Sequence, residues 1–476
     1  MDATKRIFVR PIEKYSMKKL IIFPVFFLVT ALGYSQVNVN KSIDSIMKVA
    51  YQRGIFNGNI LVAKHGKVIY ERSFGFADGA KSLPMKKDLR FDIGSVSKEF
   101  NGVAMMLLNE KGKLSLDDKL AKYFPEFPSW ANEVKIRHLI NYTSGIPVFG
   151  PAGDGNDSLI YQSLLRLKSL KSTPGSLYIY NAVNVSLQRK IIEKVSGLSY
   201  AKFLEKYLLK PAGMRSSLVD YPVDAKGMAQ AFDEQGRTTV YEQQTKGWVR
   251  LPINDLYKWI VALDNNKIIN PSSFRELSQA FPGGESSIGT SEFRNDTLLW
   301  HQHQGSNSNY EAAYYSNVRD SIVIIMMTNN QQMKVWPLKT AILQALGGQN
   351  FAIPKKSLYL AIRDRMLTDT ASGMSYYRKL KNEAQEQFDF SFEIGDLIST
   401  GKYLQRRKKI DEAILLFNTA VALQARKEDL SYGYELIGEC FYSKGEAALA
   451  LTSYQKSLDL NPMNKNSAEM IKKLEK

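Results

Sequence analysis

The chain has 476 residues, of which 44% are hydrophobic, 11% aromatic and 23% charged, a balance that supports a buried core and excludes disordered, collagen-like and mini-protein classes. A single cysteine, Cys440, excludes a disulfide framework and thiolate metal clusters; of the four histidines only His301 and His303 stand close, with no third ligand patterned nearby and no HExxH, so neither a metal nor another cofactor is expected. The net charge of +17 is spread as isolated Lys and Arg, its longest run is Arg406-Arg407-Lys408-Lys409, and no nucleic-acid module accompanies it, so no nucleic-acid partner is expected.

Residues 1–35 hold six basic and two acidic residues. Met17-Lys18-Lys19 precedes an apolar run from Leu20 to Leu32 and then Gly33-Tyr34-Ser35-Gln36. A positive start, a short hydrophobic run and small residues before the cut read as a signal peptide. The run falls short of the about 20 apolar residues that span a membrane, so a membrane tie is expected only if the segment stays uncleaved. Residues 1–16 carry charges that a signal does not need, which makes Met17 the expected true start. The mature chain is expected to be exported, periplasmic or secreted, where a lone cysteine is compatible with an oxidising space.

Asn57–Lys64 and Lys67–Arg72 have strand composition, and His65-Gly66 between them has hairpin-turn chemistry. From Ser95 to Lys111 the apolar residues Val103, Met106, Leu107 and Leu108 fall at helical spacing, and Gly112 ends the helix. A strand returns at Ser321–Thr328, closed by Asn329-Asn330. The stretch between is mostly helical, so residues 38–348 read as an α+β domain whose antiparallel sheet is assembled from both ends of the segment and flanked by helices.

Residues 349–374 read as a linker, and from 375 to 476 nearly everything is helical. There Gly401, Ala413, Phe417 and Ala420 recur as Gly438, Ala450, Tyr454 and Ser457, 37 residues on. The spacing resembles the roughly 34-residue tetratricopeptide pattern with a longer turn at 424–430 and a closing helix at 467–476, a module that binds a protein partner or packs. An ordinary helical hairpin bundle is the alternative.

Ser95-Val96-Ser97-Lys98 is a Ser-x-x-Lys motif, and three residues of helix set a lysine amine beside a serine hydroxyl. Six matches occur, at Ser16, Ser45, Ser95, Ser199, Ser399 and Ser453. Only Ser95 follows a short strand-like Phe91-Asp-Ile-Gly94 and opens a helix, where amide dipoles favour a developing oxyanion. Further on stand Arg137-His-Leu-Ile-Asn-Tyr-Thr-Ser-Gly145, Pro174-Gly-Ser-Leu-Tyr-Ile-Tyr180-Asn181 and His303-Gln304-Gly305.

In that order and approximate spacing, over about residues 50–345, these segments resemble the serine β-lactamase and penicillin-binding-protein superfamily, and most of all its class C branch of peptidases and esterases. The resemblance implies Ser95 as acylated nucleophile, Lys98 as its proton partner, Tyr180 as relay and His303 in the place of a strand lysine, with the amides of Ser95 and of Ser306, after Gly305, binding the oxyanion. One departure concerns substrate. The second motif is usually Tyr-x-Asn, but here Tyr180-Asn181-Ala182; Asn181 would replace the missing amide only through a one-residue loop shift, which speaks against efficient β-lactam hydrolysis. Tyr142 also stands where many relatives have histidine. The expected activity is therefore hydrolysis of D-amino-acid peptides or small esters; a catalytically retired scaffold that binds envelope peptide is the competing reading.

Overall fold

The computed structural model describes residues 39–149, 156–239 and 246–475. The segment expected to be a signal peptide lies outside them, and no helix among the described residues is long and apolar enough to cross a membrane. Helix α1 (39–52) leads into β1 (Gly58–Lys64) and β2 (Lys67–Phe74). His65 and Gly66 between them take φ of 51° and 72°, the two left-handed residues that match a tight turn to the twist of a hairpin. Strand β3 (Phe91–Asp92) precedes α2 (Ser97–Glu110), and α3 (Ile136–Ile140), α4 (Asp157–Arg166), α5 (Ala182–Ser196), α6 (Tyr200–Leu204) and α7 (Lys210–Ala212) follow. After β4 (Leu218–Val219), β5 (Val249–Leu251), α8 (Ile253–Asp264) and α9 (Pro271–Leu277) come β6 (Thr290–Arg294), β7 (Thr297–Asn307), β8 (Tyr310–Asn317), β9 (Ile322–Thr328) and α10 (Val335–Leu346).

The main sheet has the order β2-β1-β9-β8-β7-β6, antiparallel throughout. The N-terminal hairpin thus joins the late strands, as the sequence predicts. Alternate residues of the central strands point to opposite faces. Ile60, Val62, Ile324 and Met326 pack with Ile43, Met47, Leu338 and Ile342 of α1 and α10. Leu61, Ala63, Ile325 and Met327 pack with Phe100, Val103 and Trp259 of α2 and α8. Because both faces are covered, β1 and β9 are nearly continuous apolar runs, each fully buried large side chain contributing about 1.5–3 kcal/mol. Helix α2 is buried from Glu99 through Leu108 and forms the spine of the domain.

The helical region is α11 (Leu358–Thr368), α12 (Thr370–Glu383), α13 (Glu393–Gln405), α14 (Ile410–Val421), α15 (Lys427–Ser443), α16 (Ala447–Leu460) and α17 (Lys465–Leu474). The linker expected at 349–374 is corrected. Leu358, Ile362 and Met366, four residues apart, line one face of α11 and share a core with Leu397, Leu416 and Phe417, so the helical unit begins near residue 357. The 37-residue recurrence has a packing cause: a Cβ on Gly401 would lie 2.4 Å from the Phe417 ring, and one on Gly438 would lie 2.9 Å from the Tyr454 ring. Each small residue seats the aromatic of the next helix. Lys334 bonds Asp389 at 3.0 Å and Arg363 bonds Glu234 at 3.3 Å across the seam between the two units, beside a cavity of about 770 Å³ lined by Tyr51, Phe232, Lys356 and Arg365.

Candidate active site

Ser95 lies in the 3₁₀ turn Gly94–Val96 that runs into α2. Its Oγ accepts a hydrogen bond from Lys98 Nζ at 2.8 Å and shares one with the Tyr180 hydroxyl at 2.7 Å. The amine also lies 4.9 Å from the centroid of the Tyr180 ring and 5.9 Å from that of Trp248. Two other Ser-x-x-Lys serines do local work: Ser199 caps α6 and Ser453 bonds the Leu449 carbonyl inside α16.

Two glycines bring this turn against β7. Gly94 has φ of 53°, and a Cβ on it would lie 2.4 Å from the Ser306 nitrogen; one on Gly305 would lie 2.0 Å from the Ile93 oxygen and 2.5 Å from the Ser95 nitrogen. Only bare backbone fits, and the Ser95 and Ser306 amides meet at this junction. Asp92 braces it from below. Its Oδ1 accepts from the Gly94 amide at 2.8 Å, and its Oδ2 pairs with Arg250 at 2.9 Å and accepts from Asn307 at 2.9 Å. Asp92 and Arg250 are fully buried.

The electrostatics divide the roles of amine and phenol. Loss of hydration lowers the Lys98 pKa from 10.5 to about 8, against the opposing fields of Glu285 and Asp92. Burial raises Tyr180 above its ordinary 10, as does Glu285, while the Ser95 hydrogen bond opposes them. Near neutrality the amine can lose its proton and the phenol keeps its own. The Tyr180 ring is backed by Tyr142, 5.1 Å away between centroids, which in turn meets Tyr178 at 5.9 Å. Tyr142 is buried with φ of 58°, and its carbonyl accepts from the Ile179 amide at 2.8 Å. The departure at position 142 thus supplies a wall for Tyr180.

The structure brings Ser95, Lys98, Tyr180, Gly305 and Ser306 together and leaves two expected residues apart. His303 is 3% exposed, and its Nδ1 bonds the buried Glu99 carboxylate at 2.7 Å, a group that also accepts from Tyr314 at 2.7 Å and Trp259 at 2.8 Å. It makes no hydrogen bond to Ser95, Lys98 or Tyr180 among the described residues, so its expected catalytic placement is corrected to a support that ties its own strand, β7, to α2. Asn181 is likewise corrected. It is 5% exposed; its Oδ1 caps α5 by accepting from Asn184 N at 3.1 Å, and its Nδ2 donates to the Ile146 carbonyl at 3.0 Å. No loop shift frees its amide for substrate. The sequence reading passed over Glu99, Asp92, Trp248 and Glu285. A charged residue on the apolar face of α2, directly after Lys98, was the legible signal for Glu99.

Residues 39–346 match the Beta-lactamase family. Over 191 residues the chain is 32% identical to "Penicillin-binding protein 4*" of Bacillus subtilis, covering 38% of this chain and 42% of that one. It is 26% identical to "Protein flp" of Staphylococcus aureus over 315 residues, 61% of this chain and 63% of that one; each match spans less than two thirds of the curated relative. Solved structures with the same fold include a D-amino acid amidase from Ochrobactrum anthropi (18% identity, TM-score 0.55, 65% of this chain and 99% of that one) and EstCE1, a hydrolase with promiscuous acyltransferase activity (20%, 0.54, 66% and 99%). A class C β-lactamase aligns at 18% identity and a TM-score of 0.55, over 66% and 97%. With Ser95, Lys98 and Tyr180 converging in the matched segment, the chain belongs to the β-lactamase family of serine hydrolases.

Proposed function

We propose that the protein is an exported serine hydrolase that cleaves D-amino-acid peptides or small esters through an acyl-enzyme on Ser95. One observation carries the reading: the Ser95 hydroxyl oxygen lies within 2.8 Å of both an amine and a phenol. In acylation Ser95 Oγ bonds the substrate carbonyl carbon while its proton passes to neutral Lys98. The carbonyl oxygen takes the negative charge beside the Ser95 and Ser306 amides. The tetrahedral centre collapses by breaking the bond to the leaving amine or alkoxide, which receives a proton from Tyr180, itself reprotonated by Lys98. Water then attacks the ester, gives its proton to the same pair, and releases the acid and free Ser95. Substrate enters with no side-chain amide from Asn181 or Ala182 to hold an acylamino group, which places β-lactams low in the order of substrates.

The recurring hairpins α13–α14 and α15–α16 support a tetratricopeptide-like module for a protein partner. The panel that tests the activity is p-nitrophenyl acetate and butyrate, D-Ala-D-Ala peptides and nitrocefin, with a fluorescent phosphonate to label the nucleophile. Turnover of an ester or D-peptide with label on Ser95 is expected. Folded protein with neither turnover nor label would replace this reading with the retired scaffold.

A further inference from the structure

The loop before β6 carries a carboxylate that the mechanism does not use. Three contacts fix it beside the tyrosine wall. Gly284 lies flat on Tyr178, where a Cβ would come within 2.6 Å of ring carbons. Ser287 Oγ donates to the Ile140 carbonyl at 2.7 Å. Ser286 closes the loop by bonding the Gly289 oxygen at 2.8 Å. Glu285 stands between these anchors, half-buried, and its carboxylate has no hydrogen-bond or ion-pair partner among the described residues. It acts through space on Lys98, Tyr142, Tyr178 and Tyr180.

For a general base this neighbour is adverse, because a carboxylate near Lys98 favours the protonated amine that cannot accept from Ser95. A cation bound beside Glu285 would cancel that field and return Lys98 to its neutral form. The surroundings suit a cation: Trp248 and Tyr178 are half-buried and Tyr180 is 40% exposed, aromatic surface that holds an ammonium next to a carboxylate. An acylamino group finds no amide on Asn181, since that side chain is spent on Ile146 and α5.

We propose that Glu285 is a specificity-determining residue that selects acyl donors with a free, protonated amine next to the scissile carbonyl, that is, N-terminally unblocked aminoacyl esters, amides and peptides. This rests on the acyl-enzyme reading above. Selection comes from the ion pair in a partly dehydrated site and from rejection of acylated analogues, which leave the carboxylate unpaired.

The test compares kcat/KM for alanine methyl ester and its N-acetyl analogue, in both enantiomers, with p-nitrophenyl acetate as the uncharged reference. The wild type should prefer the free amine by roughly tenfold or more. Glu285→Gln should collapse that ratio toward one, Glu285→Lys should invert it, and Glu285→Asp should keep part of it. An unchanged ratio in Glu285→Gln, an equal fall on all substrates, or a wild type that takes the reference ester without preferring the free amine would overturn the proposal while leaving the hydrolase standing. A wild type inert toward every ester, including the reference, would take both down.

Discussion

Lys98 and Glu99 are consecutive residues of one helix, and they organise two polar clusters of opposite kind. The Lys98 cluster is partly exposed, holds Ser95 Oγ between an amine and a phenol, and contains groups whose protons can move. The Glu99 cluster is sealed: a fully buried carboxylate accepts from His303, Tyr314 and Trp259 and ties α2 to β7, β8 and α8. One residue of helix, about 100° of rotation, separates chemistry from architecture. Substitutions in the first cluster should therefore cost rate and spare stability, and those in the second should do the reverse.

The largest effect is expected at Ser95. Ser95→Ala should lower ester turnover by roughly 10³ or more and abolish the covalent adduct seen by mass spectrometry, while changing unfolding free energy by no more than about 1 kcal/mol. An adduct equal to wild type would end its role as nucleophile. Next comes Glu99→Ala, which strands three buried donors and should destabilise the protein by about 3 kcal/mol or more in urea unfolding. A loss below about 1 kcal/mol would show that the sealed cluster is not a brace.

Lys98→Ala and Tyr180→Phe should each lower turnover by roughly 10². Because both serve one proton path, the double variant should lose far less than the product; a full product would mean two independent paths. The same cluster should set the pH profile. Lys98 must be neutral to accept a proton, and burial holds its pKa at about 8. Acylation should thus rise about tenfold per pH unit below that value and level off above it. Stopped-flow acylation with p-nitrophenyl acetate reads this directly, and a rate that falls with rising pH through the same range would refute the neutral-amine base.

The difference between the clusters also explains what the sequence made legible. Ser95, Lys98 and Tyr180 were readable because each belongs to a short local pattern, a helix start or a turn before a helix, whose chemistry the spacing expresses. The hairpin at His65-Gly66 and the apolar β9 were readable for the same reason. Asp92 and Arg250 were not, since each has its partner on a strand that only the fold brings near, 158 residues away along the chain; Glu99 showed only as a charge on an apolar helix face, and its partners on β7, β8 and α8 did not show at all. Asn181 looked like a ligand of substrate because it follows Tyr180, but a helix starting at Ala182 takes its side chain as a cap. The linker expected over 349–374 failed on the four-residue spacing of Leu358, Ile362 and Met366, a helical face too short to stand out before its partners on α13 and α14 are known.

His303 sits where the two clusters meet and gives the smallest and most discriminating effect. It lies two residues before Gly305 on β7, near the oxyanion junction along the chain, yet its ring bonds to Glu99 and is buried. If it belongs to the sealed cluster, what matters is one donor at the position of Nδ1, which the side-chain amide of asparagine can supply. His303→Asn should then cost about 1 kcal/mol of stability and keep kcat within roughly tenfold of wild type, equal to about 1.4 kcal/mol of barrier, with the inflection near pH 8 unmoved. His303→Leu, which removes the donor, should lose more stability than His303→Asn and resemble Glu99→Ala in kind. If instead His303→Asn dropped kcat by roughly 10² with unfolding unchanged, the histidine would act on the reacting groups, and the division between an open cluster for chemistry and a closed one for support would fail at the residue where it is most exposed to test.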